Sequence, residues 1–502
     1  MDLSQVMDHV HSAVGWLNTQ LSWVLIVAII VAGIIFTIWT RGLQFRRIGT
    51  MFRIALDSRT GAGEGISSFQ AFCISLASRV GTGNIAGVAI ALALGGPGAI
   101  FWMWVMASLG MATAFIEATL AQLYKIPHDD GTFRGGPAYY MERGMKSRPL
   151  GILFAVFLLF TFGFAYQMVQ ANTIAQVMQQ TYHVAPLWTG LALAAATAAV
   201  VMGGVKSVAK ATEYMAPLMA LAYLLLALAV IAVNLPEVPG MFMQIFKGAF
   251  GLDEALSGTA GGLAATMLNG IKRGLYSNEA GEGSAPNAAA VATTSHPAHQ
   301  GLIQSLGVFV DTILVCTATA LVIMLSDPSL YTPGVTTKDD AGATLTQRTL
   351  EFSLGGWVGP VFSIILLTFV YSTLIGNESY AEINMDFLKG GKPGAVFIRL
   401  LTVASVVLGA VAELSFVWDL ADVAMTTMAL TNLVALAFLG KKAIQTMRHF
   451  EAQPDAVTAS FDLDHNDYVA DDIPGEVWHA RHGHAAGKWF HPESGSADVP
   501  AH

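Results

Sequence analysis

Apolar residues gather into eleven runs bounded by polar or Gly/Pro-rich stretches, at 21–40, 67–94, 98–124, 150–179, 187–204, 212–234, 255–276, 302–325, 357–380, 395–413 and 416–440. An α-helix needs ~20 apolar residues to cross the hydrocarbon core of a bilayer. The pattern therefore predicts an all-α polytopic membrane protein with about eleven transmembrane helices. With the first run set aside, ten remain, five within 67–234 and five within 255–440. An odd number per group makes the two groups cross the bilayer in opposite directions. That is the arithmetic of an inverted repeat, in which the first helix of each unit is broken near the midplane. In the first unit the break falls at Ser78 to Gly87, where Arg79, Gly81, Thr82, Gly83 and Asn84 interrupt an apolar segment. In the second, the corresponding stretch is Ser257 to Gly274, with Gly258, Gly261, Gly262, Gly270 and Gly274, and with Thr259, Thr266 and Asn269 as its candidate substrate contacts. The chain divides accordingly. Residues 1–66 hold an N-terminus, the first helix and a linker, 67–234 the first repeat, 235–254 a connection, 255–440 the second repeat, and 441–502 an acidic tail expected to be disordered.

Composition agrees: 54% of the residues are hydrophobic and 12% charged, against about 25% charged in soluble domains, and the mean hydropathy is +0.55. Met1 to Gln20 carries no Lys or Arg, whereas Arg41, Arg46 and Arg47 follow the first run. That run reads as an anchor and not as a cleaved signal peptide. With the N-terminus outside, nineteen basic residues fall in inner connections, Lys272 and Arg273 among them, and three (Lys247, Lys338 and Arg348) in outer ones. Basic residues collect on the cytoplasmic side, so the expected topology is N-terminus out and C-terminus in, across the inner membrane. The net charge of −9 resides almost wholly in the tail, which holds ten acidic and two basic residues from Glu451 onward. A near-neutral body gives no reason to expect a nucleic-acid partner. The tail histidines His479, His482, His484 and His491 lack Cys partners and a helical spacing, so a solvated segment is a better reading than a metal site. Cys73 and Cys316 both fall inside apolar runs and predict no disulfide. An enzyme would need a nucleophile–base pair or a metal cluster near a membrane face, and most histidines lie in termini and loops.

Polar groups inside the runs carry the candidate chemistry. An unwound turn at Val80-Gly81-Thr82-Gly83-Asn84 frees carbonyl oxygens for a hard cation such as Na+ and presents N–H groups at a helix start to a carboxylate. Arg79 either meets a substrate carboxylate or, the favoured reading, pairs with Asp311, Glu279 or Glu117. Tyr166, Gln167, Gln170 and Asn172 form a polar patch on one helix, suited to ligand contact or to interhelical bonding. Asp311-Thr312 lies near mid-membrane as a cation ligand or a partner for Arg79. Ser372 and Thr373 either face the unwound carbonyls, completing a sodium cage, or bond back to their own helix.

These residues sit within longer matches. Gly95-Gly96-Pro97-Gly98-Ala99-Ile100-Phe101-Trp102-Met103-Trp104 resembles the signature of the sodium:alanine symporter family. Arg79 to Val88, Gly135 to Gly144, Arg273 to Gly281 and Gln300 to Thr312 are similar to further motifs of the same family. The resemblance implies a leucine-transporter-type fold that couples inward sodium flow to uptake of alanine or glycine. By carry-over, Thr82 and Gly83 offer N–H groups to the substrate carboxylate. Asn84 and the Arg79 carbonyl ligate one sodium; the Ala77 and Val80 carbonyls with Ser372 and Thr373 ligate another. Two departures stand out. The family run reads Gly-Met-Gly-Ser-Ala-Pro-His where this chain has Gly281-Glu282-Gly283-Ser284-Ala285-Pro286-Asn287, and Asn377-Glu378 follows the hydroxyl pair where the family is less polar. The expectation is a sodium-coupled importer of a small neutral amino acid, with proton coupling or a more polar substrate as the alternative and a membrane-embedded enzyme as a remote one.

Overall fold

The computed structural model describes residues 3–59, 65–201, 204–252, 262–338, 340–469, 473–475 and 477–479. Each of the eleven apolar runs is helical over most of its described part. Among the described residues, eight helices are long and apolar enough to cross a bilayer, or nine when Ser68–Arg79 and Gly83–Gly95, bent by 47°, count as one. The count of eleven is thus not reached. Pro186–Val201 is apolar but has 16 residues, and Gly262–Asn278 stops after 17.

The first broken helix begins with a capping box, in which the Ser67 hydroxyl accepts from the Gln70 N–H at 3.1 Å and the Gln70 side chain accepts from the Ser67 N–H at 3.0 Å. The second consists of Gly262–Asn278 and Ala285–Val291. The two lie antiparallel at the centre of the bundle. At one end Thr266 donates to the Gly95 carbonyl at 2.7 Å. At the other, Ile66–Ser67 pairs with Ala292–Thr293 in a short two-stranded ladder. These are called below the Gly96 end and the Ser67 end.

Small residues let the helices approach. A Cβ at Gly376 would lie 3.2 Å from the Ser78 backbone nitrogen, which seats Val358–Phe387 against Ser68–Arg79. Gly274 meets Met103 and Met106 at 3.3 Å on the Gly98–Leu123 helix, and Gly270 packs on Ala99 and Trp102 of the same helix. Gly270 and Gly274 are therefore packing positions, and the helix runs unbroken through them, while Gly258 and Gly261 lie outside the described residues.

The tail departs from expectation over its described part. The last long helix continues past residue 440 to Glu451, and the chain after it turns back onto the Ser67 end. Phe461 donates its N–H to the Ser295 carbonyl at 2.9 Å, and Leu463 donates to the Trp478 carbonyl at 2.7 Å. The Trp478 indole is 2% exposed and donates to the Gln122 carbonyl at 2.9 Å. Phe461, Leu463, Val469, Val477 and Trp478 supply enough apolar area to dock an otherwise acidic segment. His479 pairs with Asp464 at 2.9 Å; His482, His484 and His491 lie outside the described residues.

Candidate functional site

The first half-helix ends at Arg79 because Val80 leaves helical geometry (ψ 90°). The chain resumes as one turn of π-helix at Gly83–Gly87, a rare form that collects at functional sites. Asn84 closes the gap, its Oδ1 accepting from the Gly81 N–H at 2.9 Å. Gly81 is required by close approach, since a Cβ there would meet the Thr373 hydroxyl and lie 3.4 Å from Gln170 Oε1. Gly83 rests against Tyr276 and Ser277 at 3.1–3.2 Å. The break thus touches three other elements within three residues.

The second break falls at Glu279–Ser284, between Asn278 and Ala285, and not among the earlier glycines. Glu279 (φ 56°), Gly281 (φ 97°) and Gly283 (φ 85°) hold it open with left-handed backbone. Two of the expected substrate contacts are accordingly elsewhere. Thr266 bonds to Gly95 at the far end of the helix, and Asn269 bonds back to the Ala265 carbonyl at 2.9 Å; Thr259 lies outside the described residues. The usable signal is Gly-Glu-Gly-Ser-Ala-Pro, a helix stop followed by Pro near the start of a new helix.

Between the breaks lies a compact polar cluster. Asp311 accepts from Asn84 Nδ2 at 2.7 Å, from Ser277 at 2.7 Å and from Thr312 at 2.7 Å. Asn278 donates to Thr312 at 3.2 Å. Asp311 belongs to a second π-helical segment, Phe309–Cys316. All of these side chains are buried. A carboxylate and two hydroxyls are hard oxygen donors that suit an alkali or alkaline-earth cation, whereas the Asn84 and Asn278 amides turn their NH2 groups to this cluster and their oxygens to the Gly81 and Ala280 N–H groups. The other expected cation set is only partly assembled: Thr373 donates to the Ala77 carbonyl at 2.8 Å. Ser372 points elsewhere, to the Phe369 carbonyl at 2.9 Å and Met219 Sδ at 3.1 Å.

The Arg79 side chain makes none of the ion pairs expected of it. It is 2% exposed and its Nη1 donates to the Gln304 carbonyl at 3.2 Å. Among the described residues it forms no ion pair with Asp311, Glu279 or Glu117, and Nε and Nη2 have no hydrogen-bond partner. The guanidinium lies against Gly307, where its charge acts on Glu279, Glu117 and Asp311 through space without contact.

Around the first break, Gln167 Oε1, Gln170 Oε1 and Trp418 Nε1 are buried without a hydrogen-bond partner among the described residues, and the Thr82 and Tyr276 hydroxyls have at most each other. Buried polar groups are rarely left so, and their concentration marks a place for a polar ligand. Asn172, by contrast, donates to the Gly409 and Ala412 carbonyls at 2.9 and 2.7 Å, which is interhelical bonding. An aromatic column runs from the second break, where Tyr166 meets Glu282, to Trp418 beside Gly87, with ring centroids 4.7 Å apart for Phe162–Tyr166, 4.6 Å for Tyr166–Tyr276 and 4.7 Å for Tyr276–Trp418.

Residues 7–462 match the profile of the sodium:alanine symporter family. The chain belongs to this family. It is 44% identical over 456 residues to the probable sodium/glutamine symporter GlnT of Bacillus subtilis, covering 90% of this chain and 93% of the relative. It is 40% identical over 454 residues to the sodium/alanine symporter AgcS of Methanococcus maripaludis, covering 87% and 97%. Of solved structures, MhsT in complex with L-phenylalanine aligns over 84% of this chain and 94% of its own at 14% identity and a TM-score of 0.49. This family member is a multi-pass membrane transporter of the cation-coupled amino-acid symporter class, not an enzyme.

Several residues of the symporter's site are not visible in the sequence alone. The Arg273 guanidinium lies over the Trp418 ring at 4.6 Å and pairs with Asp422 at 2.5 Å, and Lys272 reaches the same carboxylate at 2.7 Å. All three are buried. Lys272 and Arg273 thus sit within a helix between the break and the Gly96 end, and not in an inner connection. A charge inside a span signals a partner, yet here the partner is 149 residues away.

Proposed function

We propose that this symporter imports a small neutral amino acid, alanine or glycine, by coupling it to inward sodium flow through alternating access. What supports the reading is the meeting of two broken helices at one point, where Gly81, Thr373 and Gln170 converge and Asp311 lies against Asn84 and Ser277. The N–H groups of Thr82 and Gly83, at the start of a half-helix, receive the substrate carboxylate. Gln170, Tyr276 and Thr82 take hydrogen bonds from its ammonium end or supply them to its polar atoms. Asp311, the Arg79 carbonyl and, once its amide turns over, Asn84 hold one sodium. The Ala77 and Val80 carbonyls with Thr373 hold a second, Ser372 being turned to Phe369 and Met219. Each ion orders an unwound segment that the substrate also needs, so ion and substrate raise each other's affinity by a reciprocal ~1–3 kcal/mol.

Sidedness follows the basic residues. Moving Lys272 and Arg273 out of the inner set leaves the asymmetry in place, and the Ser67 end, with Arg46, Arg47 and Arg53, faces the cytoplasm of an inner-membrane protein. The Gly96 end is then outside. There the Arg273–Asp422 pair and the Trp418–Tyr276 rings form the outer gate.

The test is uptake of radiolabelled alanine and glycine by the purified protein in proteoliposomes, with and without an inward sodium gradient. Glutamine belongs in the competition panel, because a 44% identical relative is named for it. Concentrative uptake that needs sodium supports the reading; equal uptake in sodium-free buffer overturns it.

A further inference from the structure

Three carboxylates converge on the second break, and they are not equally provided for. Glu117 accepts from the Gly281 N–H at 3.0 Å and from Asn432 Nδ2 at 2.5 Å. Glu279 accepts from the Ser78 hydroxyl at 2.7 Å and the Ser284 hydroxyl at 2.6 Å. Glu282 has a single donor, the Tyr166 hydroxyl, which lies 3.2 and 3.1 Å from its two oxygens. An ionised carboxylate offers about four acceptor positions, so Glu282 is far from satisfied. It is also 0% exposed. The charged and titratable groups around it are Glu279, Glu117, Arg79, Tyr166, Tyr276 and Tyr380. Arg79 is the one cation of that group, and it makes no ion pair with any of the three acids.

A buried carboxylate beside two others, with no paired cation and one shared hydroxyl, is costly in its ionised form. Neighbouring acids in such a site share protons instead of all ionising. Glu117 and Glu279 each have two donors that hold a negative charge in place. Glu282 does not, and so it is the member of the group for which a proton does most. Its position makes that proton matter. Left-handed Gly281 and Gly283 flank it, and Tyr166, its donor, stacks on Tyr276, which lies against Gly83 of the first break. The charge on Glu282 is therefore felt where the two breaks close on each other.

We propose that Glu282 is a proton-binding site whose occupancy licenses occlusion: the breaks close around the loaded site when the acid is neutral and are held from closing when it is the carboxylate. The proton passes between the carboxylate oxygen and water, with no electron transfer. The proposal rests on the transport reading and adds a residue that sets its pH dependence.

The experiment measures initial uptake in proteoliposomes at saturating sodium, with equal pH on both sides, for wild type, Glu282→Gln and Glu282→Met. Wild-type uptake should fall as pH rises, in the limit about tenfold per unit for one required proton. Both variants should be flat across the same range and exceed wild type at its alkaline end. A pH profile unchanged in both variants overturns the proposal, as does a changed substrate preference with the profile intact. A second readout needs no transport. Difference infrared spectra of substrate-free protein across the pH series should show a protonated-carboxyl band that is missing in Glu282→Gln, and a band that persists in the variant overturns the proposal. Absent sodium-driven uptake of any amino acid would overturn the transport reading alone, leaving the infrared result to decide on Glu282.

Discussion

Thr373 donates its hydroxyl proton to the Ala77 carbonyl at 2.8 Å, joining residues 296 positions apart. The carbonyl is free to accept because the helix stops two residues later: its usual intrahelical donor would be the N–H of Gly81, which bonds to Asn84 Oδ1 instead. The bond therefore exists only because the helix is broken, and it ties the first repeat to the second at the break.

Replacing Thr373 by Ala removes that hydroxyl and one proposed sodium ligand. A hydrogen bond of this kind contributes about 1 kcal/mol, so the sodium concentration for half-maximal uptake should rise roughly fivefold or more. Ser372→Ala is the contrast. Its hydroxyl faces Phe369 and Met219, and the same measurement should move by less than about twofold, within the ordinary scatter of single substitutions. Equal effects at the two positions would mean that both hydroxyls reach the ion.

Asp311 gathers Asn84, Ser277 and Thr312 in one cluster. Asp311→Asn keeps the shape and most of the acceptors but removes the charge. Interactions with an ionised partner contribute about 2 kcal/mol, so sodium affinity should drop by roughly thirtyfold. The thermal midpoint measured without sodium should change little, since no cation is paired with Asp311 among the described residues. A large fall in that midpoint with unchanged sodium affinity would make Asp311 a structural group.

A feature of this fold is legible in the sequence when its physical cause is local. The first break is readable because Gly81, Gly83 and Asn84 announce an open turn within four residues of one another. The second is misplaced by the same logic, because a glycine that admits a neighbouring helix and a glycine that opens the backbone are the same letter. Gly270 and Gly274 are the first kind, packed on Ala99, Trp102, Met103 and Met106; Gly281 and Gly283 are the second, with φ of 97° and 85°. Only φ separates them, and φ is set by what packs around the chain. Arg273 and Lys272 pass for loop charges for a similar reason, since nothing near them in sequence reveals Asp422. Arg79 is expected to find an acid and instead points along Gly307, which no spacing rule encodes. The docked tail is hidden by its acidic composition, which outweighs the five apolar residues that bury it.

The Asp422 carboxylate, 2% exposed, neutralises Arg273 and Lys272 together. Asp422→Asn leaves two buried cations unpaired, and breaking a buried pair costs about 3–5 kcal/mol. The variant should lose thermal stability by that measure. Cysteine-accessibility labelling just below the Trp418 ring should rise, because the outer gate no longer closes. Arg273→Met in the same chain removes one of the orphaned charges, so the double variant should be more stable than Asp422→Asn alone. Simple additivity of the two losses would show that the pair does not act as a unit.

The docked tail should respond to pH, and the sign follows from His296. Burial, reinforced by the neighbouring His299 and His449, holds His296 well below the ordinary imidazole value. It lies at the Ser67 end, bonded to His449 at 3.0 Å and packed against Phe461 of the tail at a centroid distance of 5.3 Å. Undocking Phe461 opens this ring to water, where it titrates near ~6.5. A group depressed in the docked state takes up its proton more readily in the undocked one, so docking is at full strength above that value and weakens as pH falls below it. The His465–Asp462 and His479–Asp464 contacts join tail residues to one another and not to the helices. Limited proteolysis of the tail should therefore be slow at alkaline pH and fast at acid pH. His296→Asn keeps an acceptor for the Ala298 N–H, which His296 Nδ1 now caps at 3.0 Å, and removes the titrating ring. Its tail should be cut at a rate that depends less on pH, and an undiminished acid response in that variant would assign the switch to His449 or His299.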